Sequence, residues 1–226
     1  MTLAIGTINS LESARYARTY PDHAPAYELR LDAVFGNEEV MRIVEHLRSL
    51  GKIIILTVRR PDEGGLQPEW DRARRLALFL QYMHLAHIVD IEAESIHELL
   101  EVILKAEKED KVVFISCHFI KRFPSIEQIK KAFGYYLAIR ADVFKMAVIV
   151  RSDRQMREID DFVSPLMHGY PGRIAPMAVG PDYGPHSRKR YASKGAAAVY
   201  CSLADAVIAG QIQIVEFTDF LKRIKR

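Results

Sequence analysis

Short runs of apolar residues alternate with amphipathic segments along almost the whole chain. Most of the apolar runs are rich in Val, Ile and Ala and lack a regular polar alternation, which is typical of parallel β-strands that are covered on both faces. Eight such runs predict strands at residues 3–8, 26–32, 52–60, 87–94, 111–119, 142–150, 173–180 and 196–203.

The segments between the strands have the spacing of amphipathic helices, most clearly at residues 37–51, 68–86, 95–110 and 125–141. Ser95 and Ser125 are predicted N-caps, and Gly51 is predicted to follow the end of a helix. Strand and helix alternate about eight times without a break in composition. We therefore expect an α/β fold, a (β/α)8 TIM barrel that occupies residues 1–226 as a single compact domain, rather than an open doubly wound sheet.

The composition argues against several classes of protein. The 226 residues carry a net charge of +3 from 32 basic and 29 acidic side chains, which is too balanced to indicate nucleic-acid binding. No run approaches the ~18 apolar residues of a membrane span, and the first residues lack the features of a secretory signal. We therefore expect a cytoplasmic protein with no nucleic-acid or membrane partner, in which Cys117 and Cys201 are buried thiols rather than a disulfide.

Polar residues interrupt the predicted strands near their C-terminal ends. Alternate residues share one face of a strand, and enzymes with this fold place their active sites at that end of the barrel. The strands therefore predict a cluster of polar side chains at one rim. Its members are Glu28, Arg30 and Asp32 in the second strand, Thr57 and Arg59 in the third, Asp90 and Glu92 in the fourth, Ser116 and His118 in the fifth, and Lys145 in the sixth.

Taken singly, these residues also fit structural roles. Glu28 fits an ion pair with an arginine of its own strand or the next, and Lys145 fits an ion pair with Glu28 or Asp90. His118 fits a core histidine with a satisfied hydrogen bond. Charged or titratable residues near corresponding ends of five successive strands nevertheless favour a functional site.

A lysine buried near arginines is a candidate nucleophile. Burial and neighbouring positive charge both disfavour its ammonium form, and a neutral amine attacks a carbonyl group to form a Schiff base. His118 on the neighbouring strand titrates in the range that proton transfer needs. Cys117 points to the opposite face and is no partner for His118, whereas arginines at the rim suit a carboxylate substrate. Lys145 and His118 are therefore the candidate catalytic residues.

Three loops border this rim. Residues 59–65 contain Pro61 and a Gly-Gly pair and predict a turn. Residues 180–190 are rich in Gly and Pro and predict a long loop, a lid that carries Arg188 over the mouth of the barrel. Residues 209–213 bring Gln211 to the same rim.

Together these motifs resemble those of type I 3-dehydroquinate dehydratases. Each motif alone is weak, but the likeness covers nearly the whole chain, with the motifs in the family's order. The similar segments are ELRLD at 28–32, LTVRRPDEGG at 56–65, VDIE at 89–92, ISCHF at 115–119, DVFKMAV at 142–148, MAVGPDYGPHSR at 177–188 and AGQI at 209–212.

The resemblance implies a syn elimination of water from 3-dehydroquinate, giving 3-dehydroshikimate. Lys145 would form an imine with the substrate ketone, and His118 would take a C2 proton and return one to the departing C1 hydroxyl. No metal and no organic cofactor are implied. The carboxylate and hydroxyl groups of the substrate would be bound by Glu28, Arg30, Arg59, Arg188 and Gln211, with Glu63 and Asp90 tuning His118.

The chain departs from the family pattern at three positions. Phe119 follows the histidine where Asp is usual, and Ala209 precedes Gly-Gln where Pro is usual. Val207 stands in place of a serine, so one contact to a substrate hydroxyl is expected to be missing.

Two other functions share part of this pattern. A class I aldolase would use Lys145 in the same way, although residues 196–211 lack the Gly-rich turn that a phosphate site would need. A catalytically silent barrel that binds a carboxylated metabolite or a partner protein is the other alternative. His84 and His87 are interpreted as helix-surface residues rather than metal ligands, since they belong to no closed ligand set.

The sequence leaves a homodimer open. The apolar residues Leu78, Phe79 and Tyr82 fit packing on the barrel or on a second subunit.

Overall fold

The computed structural model describes residues 2–204 and 210–224. Within these residues the runs of apolar and β-branched side chains form a sheet of eight parallel strands, which confirms the predicted strand segments. Their bounds are β1 Leu3–Ile8, β2 Ala26–Arg30, β3 Ile53–Thr57, β4 Ile88–Glu92, β5 Val112–Phe119, β6 Val143–Ile149, β7 Ile174–Val179 and β8 Ala198–Ser202.

The sheet closes into a barrel. Each strand pairs with the next along the chain from β1 to β7, and β8 pairs with β1. The edges of β7 and β8 meet where the Ala197 amide donates a hydrogen bond to the carbonyl of Ile174 at 2.8 Å. The expected (β/α)8 barrel is therefore confirmed.

Helices cover the outside of the barrel. Ser125 caps its helix by accepting a hydrogen bond from the Gln128 amide, and Gly51 takes the left-handed φ of 78° after the helix Glu38–Ser49, as predicted. The N-cap predicted at Ser95 is wrong, because Ser95 ends a 3₁₀ turn and the next α-helix begins at Leu100. The α-helices among the described residues are α1 Leu11–Thr19, α2 Leu31–Val34, α3 Glu38–Ser49, α4 Arg72–Tyr82, α5 Leu100–Lys108, α6 Ile126–Ala138, α7 Asp153–Gly169, α8 Gly184–Ser193 and α9 Ile214–Ile224.

Alternation along the strands divides the buried side chains between two cores. Outward residues such as Cys117 pack under the helices, and inward residues such as Ile55 and Phe114 fill the lower part of the barrel. Leu78 and Phe79 are fully buried in the outer core, so they pack on this barrel. Above the inner apolar layer, toward the C-terminal ends of the strands, the inward side chains are polar. The candidate active site lies among these polar side chains.

Two expectations about the rim are wrong. The second strand ends at Arg30, so Asp32 does not continue its inward face but lies buried in α2. Residues 184–193 are not a lid but the helix α8, in which Arg188 is 1% exposed. Pro185 does not break this helix because it lies in the first turn, where its missing N–H has no partner to lose.

The helices described in residues 2–204 and 210–224 include none with the length and apolar character needed to cross a membrane. Both Cys117 and Cys201 are buried free thiols, as predicted.

Candidate active site

A cavity of about 450 Å³ opens at the C-terminal end of the barrel. Because parallel strands end on the same side, inward residues from several strands converge there. All of the residues predicted to catalyse the reaction, bind the substrate or tune His118 line the cavity except Asp90, which is buried in contact with Lys145. The other members of the predicted rim cluster are buried outside this lining: Asp32, Thr57, Glu92 and Ser116. The polar lining is formed by Thr7, Asn9, Glu28, Arg30, Arg59, Glu63, His118, Lys145, Arg188, Tyr200 and Gln211.

Lys145 projects from the middle of β6 into the barrel and is 3% exposed. Its Nζ atom lies 2.6 Å from Oδ2 of Asp90 and 3.4 Å from Oε1 of Glu28. The ring of Tyr200 covers a further side, with its centroid 3.7 Å from Nζ. The ion pair of Lys145 with Glu28 or Asp90 that the sequence left open is present with both carboxylates. Of the arginines expected nearby, Arg59 contacts the same Oδ2 atom of Asp90 at 3.3 Å.

His118 lies near the end of β5, two residues beyond Ser116 on the same face of the strand. Oε2 of Glu63 lies 2.9 Å from its Nδ1 atom and accepts a hydrogen bond from its backbone amide at 2.8 Å. Burial, with the positive charges of Arg59 and Lys145, holds the pKa of His118 well below its usual range. The imidazole is therefore neutral, and the contact with Glu63 fixes Nδ1 and leaves Nε2 for the cavity.

Glu63 sits in the 3₁₀ turn that follows β3, in the segment predicted as a turn. Burial and the nearby charge of Glu92 raise its pKa to about 8. Glu63 and His118 thus form a hydrogen-bonded acid–imidazole pair whose proton count changes near neutral pH.

Arg59, in the lining of the cavity, links the chain after β3 to β4 and β5. Its guanidinium donates to Asp90 at 3.3 Å, to Glu92 at 3.0 Å and to the Ser116 hydroxyl at 3.0 Å. Although burial opposes ionisation, Lys145 and Arg59 hold the pKa of Asp90 far below its usual range. Asp90 is hydrogen-bonded to Lys145 but not to His118, so it affects the pKa of the imidazole only through its negative charge.

Glu92 extends this network out of the barrel to the helix layer. Its carboxylate also accepts a hydrogen bond from Arg75 of α4, which is 3% exposed and donates at 3.0 Å to Ser95. Sequence inspection noted Glu92 but missed Arg75, because nothing in an amphipathic helix indicates which arginine turns inward.

Arg30 and Glu28 do not pair with each other. Arg30 forms two hydrogen bonds with Asp32, at 2.9 and 2.8 Å, and one with the Gly64 carbonyl at 3.1 Å. Glu28 accepts from the Thr57 hydroxyl at 3.0 Å. Arg30 is thus held at the cavity wall by the chain turn that follows its own strand.

Arg188 fastens β7 to β8. Its Nε donates to the Tyr200 carbonyl at 3.1 Å, and its Nη1 lies 3.0 Å from the carbonyls of Ala178, Gly184 and Gly210. Among the residues described, no carboxylate pairs with this guanidinium and no partner is found for its Nη2. Burial lowers the pKa of Arg188 to about 10, so its guanidinium is still charged at neutral pH. A bound anion would supply the counter-charge that the described residues do not.

Three buried polar atoms have no hydrogen-bond partner in the described part of the chain: Thr7 Oγ1, Tyr200 OH and Gln211 Oε1. All three side chains line the cavity. Because a buried polar group without a partner is destabilising, such atoms mark places where a ligand supplies the missing bond. Gln211 was predicted. Thr7 and Tyr200 were missed, although both occupy inward positions of a strand where a polar residue interrupts apolar ones.

The described residues include no group of His, Cys, Asp and Glu that would hold a metal ion. His84 is exposed in a 3₁₀ turn, but the predicted place of His87 on a helix surface is wrong, because it lies in the loop before β4, where Nδ1 accepts a hydrogen bond from the Ile54 amide at 3.1 Å. Of the departures from the family pattern, Phe119 is half-buried and packs against the outer core. Val207 and Ala209 lie outside the described residues.

The arrangement combines a buried amine, a neutral imidazole and several cations around one cavity. An amine with an adjacent base suits imine formation and proton abstraction next to a carbonyl carbon. Arg188, which has no carboxylate partner among the described residues, suits an anionic substrate.

Several known proteins are similar to this chain. The family model described as type I 3-dehydroquinase matches residues 7–226. The 3-dehydroquinate dehydratase of Methanococcoides burtonii is 27% identical over 222 residues, covering 93% of this chain and 90% of that protein. The 3-dehydroquinate dehydratase of Aquifex aeolicus is 27% identical over 214 residues, covering 90% of this chain and 89% of its own length.

Solved structures give the same picture. The crystal structure of the Aquifex aeolicus 3-dehydroquinate dehydratase has a TM-score of 0.80 at 26% identity, with 100% of both chains covered. That of the Geobacillus kaustophilus 3-dehydroquinate dehydratase has a TM-score of 0.84, covering 100% of this chain and 91% of its own. At 19% identity, this second likeness supports the fold alone.

Proposed function

The chain belongs to the type I 3-dehydroquinase family and is a hydro-lyase that dehydrates 3-dehydroquinate, and we propose that the reaction proceeds through an imine on Lys145. The observation that carries this proposal is the meeting of Lys145 and His118 in one cavity. In the same cavity, three polar atoms and one cation that have no hydrogen-bond or carboxylate partner, respectively, among the described residues match a substrate with hydroxyl groups and one carboxylate.

Lys145 gives one proton of its ammonium group to the neutral imidazole of His118 and attacks the ketone carbon C3 as the amine. The same proton then returns to the former ketone oxygen, which leaves as water and gives a protonated imine. The positive nitrogen draws electrons from C2, so that a C2 proton becomes acidic. Glu28, Asp90 and the face of Tyr200 surround this nitrogen and stabilise its positive charge.

His118 takes the C2 proton through Nε2, because Glu63 occupies the Nδ1 side of the ring. The resulting imidazolium donates the same proton to the C1 hydroxyl, which leaves as water while the C1–C2 double bond forms. A second water then hydrolyses the imine, which releases 3-dehydroshikimate and restores Lys145. The proton removed from C2 leaves in the departing water, so His118 ends the cycle neutral.

Substrate binding falls to the remaining polar groups at the rim. Arg188 attracts the carboxylate through Nη2, which has no partner in residues 2–204 and 210–224, because its described bonds go to uncharged carbonyls. Arg30 and Arg59 add positive charge from the opposite wall. Gln211 offers an unpartnered Oε1 that accepts from a substrate hydroxyl.

Reductive trapping tests the covalent step. Borohydride added during turnover of 3-dehydroquinate reduces an imine to a stable amine, and mass spectrometry of peptides then shows the adduct on Lys145. The Lys145→Ala variant is expected to lose both the adduct and all turnover, followed as ultraviolet absorbance of the conjugated product. The exposed Lys130→Ala variant is the control and is expected to keep both. A Lys145→Ala variant with wild-type turnover would refute the covalent role.

The same experiment separates the two alternatives. A class I aldolase forms the borohydride-sensitive adduct with a different carbonyl substrate and does not produce the conjugated acid from 3-dehydroquinate. A silent barrel forms no reducible adduct at all.

The proposal places the enzyme in the cytoplasm, at the dehydration step of the shikimate pathway that leads to aromatic amino acids. The two buried free thiols are in keeping with a reducing compartment. The proposal includes a homodimer, and the molar mass from sedimentation or light scattering tests it.

A further inference from the structure

Tyr200 lies at the centre of the site but makes no polar contact there. It occupies the inward face of β8 and is 3% exposed, with its ring centroid 3.7 Å from Nζ of Lys145. Its hydroxyl is one of the buried polar atoms without a hydrogen-bond partner in the described residues. In the unliganded protein the ring therefore contacts the Lys145 amine, whereas the hydroxyl makes no hydrogen bond with the described residues.

A buried phenol with no partner lowers the stability of the protein that carries it. Phenylalanine offers the same ring without this disadvantage, so the hydroxyl has no structural purpose in the unliganded barrel. Burial and the charges of Asp90 and Glu28 also raise the pKa of Tyr200, which keeps the phenol protonated and able to donate.

We propose that Tyr200 is a specificity-determining residue that donates a hydrogen bond to the C4 hydroxyl of the substrate. The inference rests on the proposed function, since it takes Lys145 as the residue that forms the imine.

The choice of hydroxyl follows from the position of the ring. Nζ of Lys145 becomes the imine nitrogen, which is bonded to C3, and C4 is bonded directly to C3. The C4 hydroxyl is thus the substrate hydroxyl nearest to the nitrogen, and the ring of Tyr200 lies against that nitrogen. The C1 hydroxyl must remain beside His118 in order to leave, and the C5 hydroxyl is one carbon further away.

The test combines Tyr200→Phe with substrates that lack one hydroxyl. With 3-dehydroquinate, Tyr200→Phe is expected to raise KM roughly tenfold at little change in kcat, the effect of losing one hydrogen bond that is made equally in ground and transition states. With the 4-deoxy analogue, the wild type and the variant are expected to have the same KM. With the 5-deoxy analogue, the tenfold difference is expected to return.

Thermal unfolding of the unliganded protein supplies a second measurement. Tyr200→Phe is expected to raise Tm by about 2–4 °C, because an unpaired buried hydroxyl is removed. Tyr27→Phe is the matched control: Tyr27 is equally buried, but its hydroxyl donates to the Pro21 carbonyl at 2.9 Å. This control is expected to lower Tm and to leave KM unchanged for every substrate.

The outcomes are distinct. A wild-type enzyme that fails to dehydrate 3-dehydroquinate overturns the proposed function, and this inference with it. If the wild type is active, an unchanged KM in Tyr200→Phe overturns the inference alone. So does a tenfold loss that persists with the 4-deoxy analogue, since the hydroxyl would then serve another group.

Discussion

Nζ of Lys145 lies 2.6 Å from Oδ2 of Asp90, with both side chains almost fully buried. Two charges in such a place are stable only as a pair, because each one alone would have lost its hydration without compensation. Asp90 is also hydrogen-bonded to Arg59 and Ser116. Its carboxylate, on β4, is therefore fixed and in turn fixes the direction of the Lys145 amine on β6. The candidate nucleophile is therefore held in position by a carboxylate before any substrate arrives.

Replacement of Asp90 by Asn is expected to lower the free energy of unfolding by about 3–5 kcal/mol, because Lys145 is left as a buried cation that has lost its nearest counter-charge. We also expect at least a tenfold decrease in kcat, since the amine loses its fixed direction. Urea unfolding and steady-state kinetics measure the two effects. Asp22→Asn is the control, because Asp22 pairs with Lys52 at 2.7 Å but is 94% exposed, and it is expected to change neither quantity. A loss of stability below about 1 kcal/mol in Asp90→Asn would contradict the role given to the pair.

The pH dependence of activity follows from the neutral imidazole of His118. Its pKa lies well below the usual 6.5, and the protonated ring is unable to accept the C2 proton. Protonation of the imidazole therefore removes activity as the pH falls through this lowered value, so the acid limb that His118 gives to the kcat/KM profile is expected below pH 6.5. An acid limb at or above that pH would contradict a buried, neutral base.

The same shift has a consequence for stability. Below pH 6.5 the unfolded chain protonates this histidine while the folded protein does not, so the contribution of His118 to the free energy of unfolding falls as the pH is lowered. Glu63, with its pKa raised to about 8, contributes in the opposite direction over the same range. His118→Gln removes this linkage. Between pH 7 and pH 5, its free energy of unfolding is expected to decrease less than that of the wild type, as urea titrations at the two values would show.

The sequence allowed the barrel and the rim to be predicted because both depend on local patterns. A strand shows its inward face by a period of two residues, and Lys145 and His118 interrupt such faces directly. The lid prediction failed because Gly184 and Pro185 are typical of loops, yet each also fits the first turn of a helix. The inward turn of Arg75 and the unused hydroxyl of Tyr200 depend on contacts between distant segments, which no single segment reveals.

The position of Arg188 in α8 gives it a structural role in addition to the proposed binding of the carboxylate. Lysine lacks the planar fork that reaches the carbonyls of β7 and β8 together, so Arg188→Lys is expected to lower the free energy of unfolding by about 2 kcal/mol or more. KM is expected to rise as well. Arg190→Lys is the matched control on the same helix: Arg190 is half exposed and pairs with Asp160 at 2.7 Å, and its replacement is expected to stay within about 0.5 kcal/mol of the wild type. Equal stability of the two variants would show that Arg188 does not join the strands.

The loops after β7 and β8 touch backbone to backbone at Gly210. A Cβ atom placed on Gly210 would lie 1.9 Å from the Gly180 carbonyl oxygen, and the residue has a φ of 83°. Gly210 also accepts a hydrogen bond from Arg188 and precedes Gln211, so a shift of this loop moves two proposed substrate-binding residues.

Gly210→Ala is therefore expected to raise KM several-fold. It is also expected to lower the free energy of unfolding through two effects, the strain of an alanine at positive φ and the clash of its Cβ with the Gly180 carbonyl. Gly36→Ala measures that strain, because Gly36 has nearly the same φ of 80° but nothing within 4 Å of an added Cβ. This control is expected to lose about 1 kcal/mol, with KM unchanged. If the two variants lose the same stability and keep the same KM, the close approach of the two loops does not position the site.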